Sequence, residues 1–174
     1  MENSIITICG KVEAVVYDKD GNELSKSVSH NIVTSSGDSL IADMLQLVPV
    51  RQKIDSTHGY LPVGTGWTGT LPKANTWVNT QTGIAQVLDT GYPQLLAAWG
   101  GSATPASNSN VVVYRVTYTQ GSLNVSGINE AAITSDLNSG SSVNCLAYSQ
   151  ITPSVNVTTL DSLVVTWQIT FLGS

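Results

Sequence analysis

Leu163-Val164-Val165-Thr166-Trp167-Gln168-Ile169-Thr170-Phe171 carries the heaviest apolar alternation in the chain. Leu163, Val165, Trp167, Ile169 and Phe171 fall on one face, and Val164, Thr166, Gln168 and Thr170 on the other. Period-two alternation of this kind marks a strand with one buried and one wetter face. It predicts that Trp167 is a structural core residue. It also predicts a C-terminus locked into the core, with no tail left for signalling or anchoring.

The same pattern predicts a hairpin over the first 31 residues. Ile6, Ile8, Val12, Ala14 and Val16 share a face, with Gly10 placed to bend the strand. Asp18-Lys19-Asp20-Gly21-Asn22 supplies Asp-Gly turn chemistry. Glu23 to His30 then returns as a polar strand near an edge, where Lys26 discourages stray pairing. One helix follows over about residues 37–47. Ser36 or Asp38 is its expected cap, Leu40, Ile41, Met44 and Leu45 form its apolar face, and Pro49 stops it.

Between about 50 and 110 the pattern weakens into a long Gly-, Thr- and Asn-rich arm. Short apolar pieces at Tyr60–Val63, Ala85–Leu88 and Gln94–Trp99 predict two or three short strands there. Trp67, Trp77 and Trp99 lie in this arm, as protein–protein contact residues or as plugs at the ends of a sandwich. Alternation returns at Val111–Thr119. A loop is expected from Gly121 to Asn138, then strands at Val143–Ile151, Val155–Thr158 and the C-terminal segment. No repeat at a fixed period is visible. These elements predict an all-β fold, an antiparallel β-sandwich or barrel of jelly-roll type with one short helix.

Composition narrows the class. The 174 residues suit one domain spanning 1–174, and 41% are apolar, but only 11% are charged against the usual quarter or so. A surface of Ser, Thr, Asn, Gln and Gly suits contact with neighbouring protein. Net charge is −5 with seven Lys and Arg and no basic run, which speaks against nucleic-acid binding. No run of 18 apolar residues exists to span a membrane, and the acidic start Met1-Glu2 does not suit a signal peptide. Cys9 and Cys145 each sit in a strand-like stretch and are expected as buried free thiols in a protein made in the cytosol. The glycosylation triplets at Asn124 and Asn156 lack a secretory setting.

Candidate chemistry is sparse. Gly64-Thr65-Gly66-Trp67-Thr68-Gly69 fits G-x-G-x-x-G, but Thr70-Leu71-Pro72 follows where a phosphate-binding helix should begin, so a glycine turn is expected and no cofactor. Asp18, Asp20, Asn22 and Glu23 gather oxygen ligands without EF-hand spacing. His30 and His58 have no supporting metal-ligand cluster and no G-x-S-x-G elbow accompanies them. Glu130, flanked by small and apolar residues, is expected to be structural, pinning a loop through backbone N–H groups or Arg115. No catalytic residue and no metal site is predicted, and the expectation is a non-enzyme.

Four stretches in order resemble a family of small tailed-bacteriophage virion structural proteins. Asn31-Ile32-Val33-Thr34-Ser35-Ser36-Gly37 resembles "N-[LI]-V-T-x-x-G", and Val63-Gly64-Thr65-Gly66 an "x-G-T-G" turn. Gly127-Ile128-Asn129-Glu130-Ala131-Ala132-Ile133 is similar to "I-x-E-[AG]-G-[LI]", with Ala132 where Gly is usual. Asp161-Ser162-Leu163 leading to Trp167-Gln168-Ile169-Thr170-Phe171 resembles "D-[ST]-L-x-[IV]-x-W-x-[IL]-x-[FL]". The resemblance implies a virion component, either a capsid decoration (cement) protein or a tail, collar or fibre-attachment protein. Its implied partners are the major capsid protein or other virion proteins, and a homo-oligomer, dimer or trimer, is expected. A carbohydrate-binding jelly roll using Trp67, Trp77 or Trp99 as sugar platforms is the rival from a different class.

Overall fold

The computed structural model describes residues 6–45, 54–55, 57–67, 88–96, 110–135 and 145–173. Eight strands and one helix follow in order: β1 (Ile6–Tyr17), β2 (Glu23–Val33), α1 (Ser35–Leu45), β3 (Val63–Gly64), β4 (Gln94–Leu96), β5 (Val111–Tyr118), β6 (Val125–Thr134), β7 (Cys145–Val157) and β8 (Ser162–Gly173). The strands form one antiparallel succession, β3-β6-β7-β2-β1-β8-β5-β4. The class is therefore all-β with one short helix, as the alternation predicts. A jelly-roll assignment does not follow from this order.

The sheet curls because β2 serves two neighbours. Its residues up to His30 pair with β1, while Asn31–Val33 pair with β7. The change falls opposite Gly10, whose absent side chain is replaced by the Asn31 amide: a Cβ on Gly10 would overlap Asn31 Oδ1. Two wings result, β2-β1-β8-β5-β4 and β2-β7-β6-β3. Their facing sides form one core, with Val12, Ala14, Val16, Val116, Tyr118, Leu163, Val165, Trp167 and Ile169 from the first and Ile128, Ala131, Ile133, Ala147, Ile151, Val155 and Val157 from the second. Trp167 is fully buried between Val12 and Tyr114, its neighbours across the two adjacent strands.

The hairpin turn forms as its residues predict. Asp18 Oδ1 accepts the N–H groups of Asp20 and Asn22, each at 2.8 Å, and Gly21 takes φ of +83°. The helix begins two residues earlier than expected and its cap is Thr34, not Ser36 or Asp38. Thr34 Oγ1 accepts the Gly37 N–H at 3.1 Å and donates to the Cys145 carbonyl at 2.5 Å, so one hydroxyl both starts α1 and ties it to β7.

Along Glu23–His30 β2 pairs with β1 alone, and its ladder with β7 covers only Asn31–Val33. Two further expectations are corrected. The expected loop from Gly121 to Asn138 contains the ten-residue β6. Irregular register between Val125 and Ile128, and again between Ile128 and Glu130, disrupts the period-two pattern that would have revealed it. Cys9 is exposed on β1; only Cys145 is buried, and both thiols are free. In the arm, β3 and β4 are the short strands seen among the described residues; residues 85–87, Trp77 and Trp99 lie outside them.

Candidate functional site

A buried set of polar contacts lies on the second wing, around Glu130. The bulges in β6 turn this carboxylate toward the strand-and-turn 63–67, and only 2% of the residue remains exposed. Its Oε1 accepts the Gly66 N–H at 2.9 Å and its Oε2 accepts the Tyr148 hydroxyl at 2.5 Å. Asn129 Oδ1 takes the next amide, the Trp67 N–H, at 3.0 Å. Adjacent side chains of β6 thus hold successive N–H groups of the glycine turn, which satisfies donors that burial would otherwise leave unpaired.

Aromatic contact completes the cluster. The Trp67 ring lies 5.6 Å from the Tyr148 ring at 33°, over a small apolar group of Ala132, Cys145 and Tyr148. Burial, then the Glu130 contact, pushes the Tyr148 hydroxyl well above its ordinary value. Its proton is therefore held on the phenol, and Tyr148 acts here as a hydrogen-bond donor. Burial also pushes the Cys145 thiol up to about 12, with its Sγ donating to the Ala147 carbonyl. A thiol so protonated is a poor nucleophile. Everything in this arrangement fixes the turn against the sheet.

Sequence reasoning expects Glu130 to pin a loop. A turn is indeed pinned, but Glu130 itself stands in a strand. Arg115 plays another part. Its Nε lies 3.3 Å from Asp89 Oδ2, and its guanidinium carbon is 6.0 Å from the centre of the Tyr92 ring. Asp89 also accepts the Thr117 N–H and hydroxyl, both at 2.8 Å, fastening the segment before β4 to β5. Ala132, where the resemblance has Gly, is strand and not turn, its N–H bonded to the Pro62 carbonyl.

Of the three arm tryptophans, Trp67 is half-buried and fastened as described; Trp77 and Trp99 fall outside the described residues. His30 is exposed on β2, and His58 Nδ1 lies 3.3 Å from Asp55 in a short turn. Gly64 to Trp67 form the glycine turn. Among the described residues no group of three His, Cys, Asp or Glu is placed to hold a metal, and no helix is long and apolar enough to cross a membrane. Asn129 and Tyr148 escaped the sequence reading. Asn129 directly precedes Glu130, but only the fold brings its partner amide 62 residues away into reach.

Comparison of the chain with known family models, characterised proteins and solved structures returns no match. The site's geometry and the sequence landmarks are what bear on function.

Proposed function

We propose that this protein is a non-enzymatic bacteriophage virion structural protein, acting as a cement that stabilises an assembled head. The observation that carries this reading is where the four sequence landmarks fall. Asn31–Gly37 forms the β2–α1 junction, with Thr34 bonded to β7. Val63–Gly66 pairs with Gly127–Ile133 through Val63 opposite Ala131, Gly64 opposite Glu130, and the Gly66 N–H on Glu130. Asp161 closes the turn into β8, its Oδ2 accepting the Thr158 N–H and hydroxyl. The second and third landmarks therefore meet one another, while the first joins β7 and the fourth closes its own turn.

The mechanism is mass action. A domain that binds the assembled lattice and not free capsid subunits stabilises the shell in proportion to occupancy, against pressure from packaged DNA. A low-charge surface rich in Ser, Thr and Asn suits hydrogen bonding across such seams.

Quantitative mass spectrometry of purified particles from the phage that encodes this chain tests the reading. Copies in the hundreds per particle are expected, and heads lacking the protein should leak DNA at lower temperature. Copies in small multiples of three or six would move the protein to the tail, collar or fibre. Absence from particles would overturn the virion reading altogether.

A further inference from the structure

Two of the three large apolar side chains that stand exposed among the described residues lie at one end of the first wing. Leu160 is 67% exposed and Leu24 is 56% exposed. They share this end because Tyr17 pairs with Glu23 on one side and with Ser162 on the other. Tyr17, half-buried, stands between them. Both leucines are held firmly. Leu24 is the extra residue of a β-bulge: Val16 pairs with Ser25 and Tyr17 with Glu23, which leaves Leu24 unpaired. A bulge re-aims the side chain it carries. Leu160 occupies the β7–β8 turn, which is fastened at two points. Asp161 Oδ2 accepts the Thr158 N–H at 2.8 Å and its hydroxyl at 2.6 Å, and the Thr159 carbonyl accepts the Gly121 N–H at 3.0 Å. Turns favour Gly, Asn, Asp and Ser for their backbone. A leucine fixed there with its side chain in water contributes little to the fold.

Charge gathers at the same end. Asp18, Asp20, Glu23 and Asp161 against Lys19 leave −3 of the chain's −5. Lys26, the next cation along β2, is taken by Glu13 at 3.0 Å. The β1–β2 turn that carries most of this charge is also rigid, since Asp18 holds the N–H groups of Asp20 and Asn22 and the Asn22 side-chain amide. Together these features limit what can cover the leucines. A second copy of this chain, joined end to end, would set −3 against −3. Nucleic acid and anionic lipid are repelled for the same reason. A protein surface with an apolar recess ringed by Lys or Arg meets both the leucines and the acids. Opposite potentials across an interface select such a partner and steer its approach.

We propose that this end, with Leu160, Leu24 and Tyr17 at its centre, is the surface by which the protein seats on a basic partner protein of the virion. Such a seat rests on the virion reading and names the face through which it acts. Rigid turns suit the role, because a preordered surface loses little conformational freedom on binding. Apolar side chains at the centre with charge around them match the anatomy of a protein–protein interface.

Phage encoding Leu24→Ser with Leu160→Ser tests it, with copies per particle counted against wild-type phage by quantitative mass spectrometry. Occupancy should fall at least about tenfold, since truncating central apolar contacts weakens an interface by that order or more. Both side chains are exposed, so the purified variant should melt at the wild-type midpoint. Asp20→Lys with Glu23→Lys, both at exposed positions, should lower occupancy too. Washing wild-type particles at about 0.5 M salt should strip more of the protein than washing at about 0.05 M, because salt screens exposed charges. Full occupancy by the leucine variant overturns the choice of surface and leaves the virion reading standing. Full occupancy by the lysine variant, or retention that salt does not weaken, overturns the basic partner. Absence of the protein from wild-type particles overturns the virion reading, and this contact with it.

Discussion

Trp167 and Glu130 show two ways in which one residue holds this fold. Trp167 contributes bulk: it is wholly buried, and its indole fills space between the wings. Trp167→Ala should cost about 3–5 kcal/mol, a large part of a domain's stability, and chemical denaturation would measure it. An unfolding midpoint near wild type would show that the cavity collapses or that the ring is not central. Glu130 contributes direction, because its two oxygens receive an amide from one segment and a phenol from another. Glu130→Gln replaces one acceptor with a donor facing the Tyr148 hydroxyl, and Tyr148→Phe removes that hydroxyl. Each should cost about 1–3 kcal/mol. Because both act on one contact, the double variant should cost clearly less than the sum. Additive losses would mean that the 2.5 Å contact carries little energy.

At the scale of elements, close approach at two glycines fixes how the strands and helix meet. A Cβ on Gly37 would run into the Leu146 carbonyl oxygen, so Gly37→Ala must push α1 off β7. The expected loss is about 1–3 kcal/mol, read from thermal melting. This gives a physical reason for the glycine that ends the first landmark. Gly10 faces the Asn31 side chain, not backbone. Gly10→Ala should therefore be damaging alone and substantially rescued by Asn31→Ala, which clears the space. Absence of rescue would mean that the bend needs glycine's backbone freedom itself. The β2 strand shows how pattern misleads at this scale. Its serines look solvent-facing in sequence, yet hydrogen bonds to residues on β7 let them face inward.

For the whole molecule, buried protonated groups set the response to alkali. Burial raises the Cys145 thiol and the Tyr114 hydroxyl each to about 12, and it raises the Tyr148 hydroxyl as well. Unfolded, these groups would ionise near about 8.5 for the thiol and about 10 for the phenols. The folded state keeps its protons while the unfolded state releases them, so unfolding gains as pH rises. Stability should be flat with respect to these groups below about pH 8 and fall steadily as pH climbs toward about 12. Cys145→Ala should flatten the first part of the decline and Tyr114→Phe the part above about pH 10. Melting curves across that range would show it. A decline unchanged in both variants would place the alkaline sensitivity elsewhere.

The sequence alone determined what depends on neighbours along the chain. Alternation in 163–171 and 111–119 defined strands with one buried face, Asp18 to Asn22 carried their own turn chemistry, and a run of apolar residues before Pro49 marked the helix. Local geometry is set by local spacing, so these features survive in one dimension. The tertiary structure decided what depends on partners far away in sequence. Thr34 became the helix cap because its hydroxyl also reaches Cys145 on β7. β6 was hidden by its bulges, and a buried glutamate is acceptable inside it only because Gly66 and Tyr148 arrive with donors. Serine could face the core only because Pro153 and Thr152 on β7 meet Ser27 and Ser29 with hydrogen bonds. A polar group's preference is fixed by whether a partner meets it, and only the fold brings those partners together.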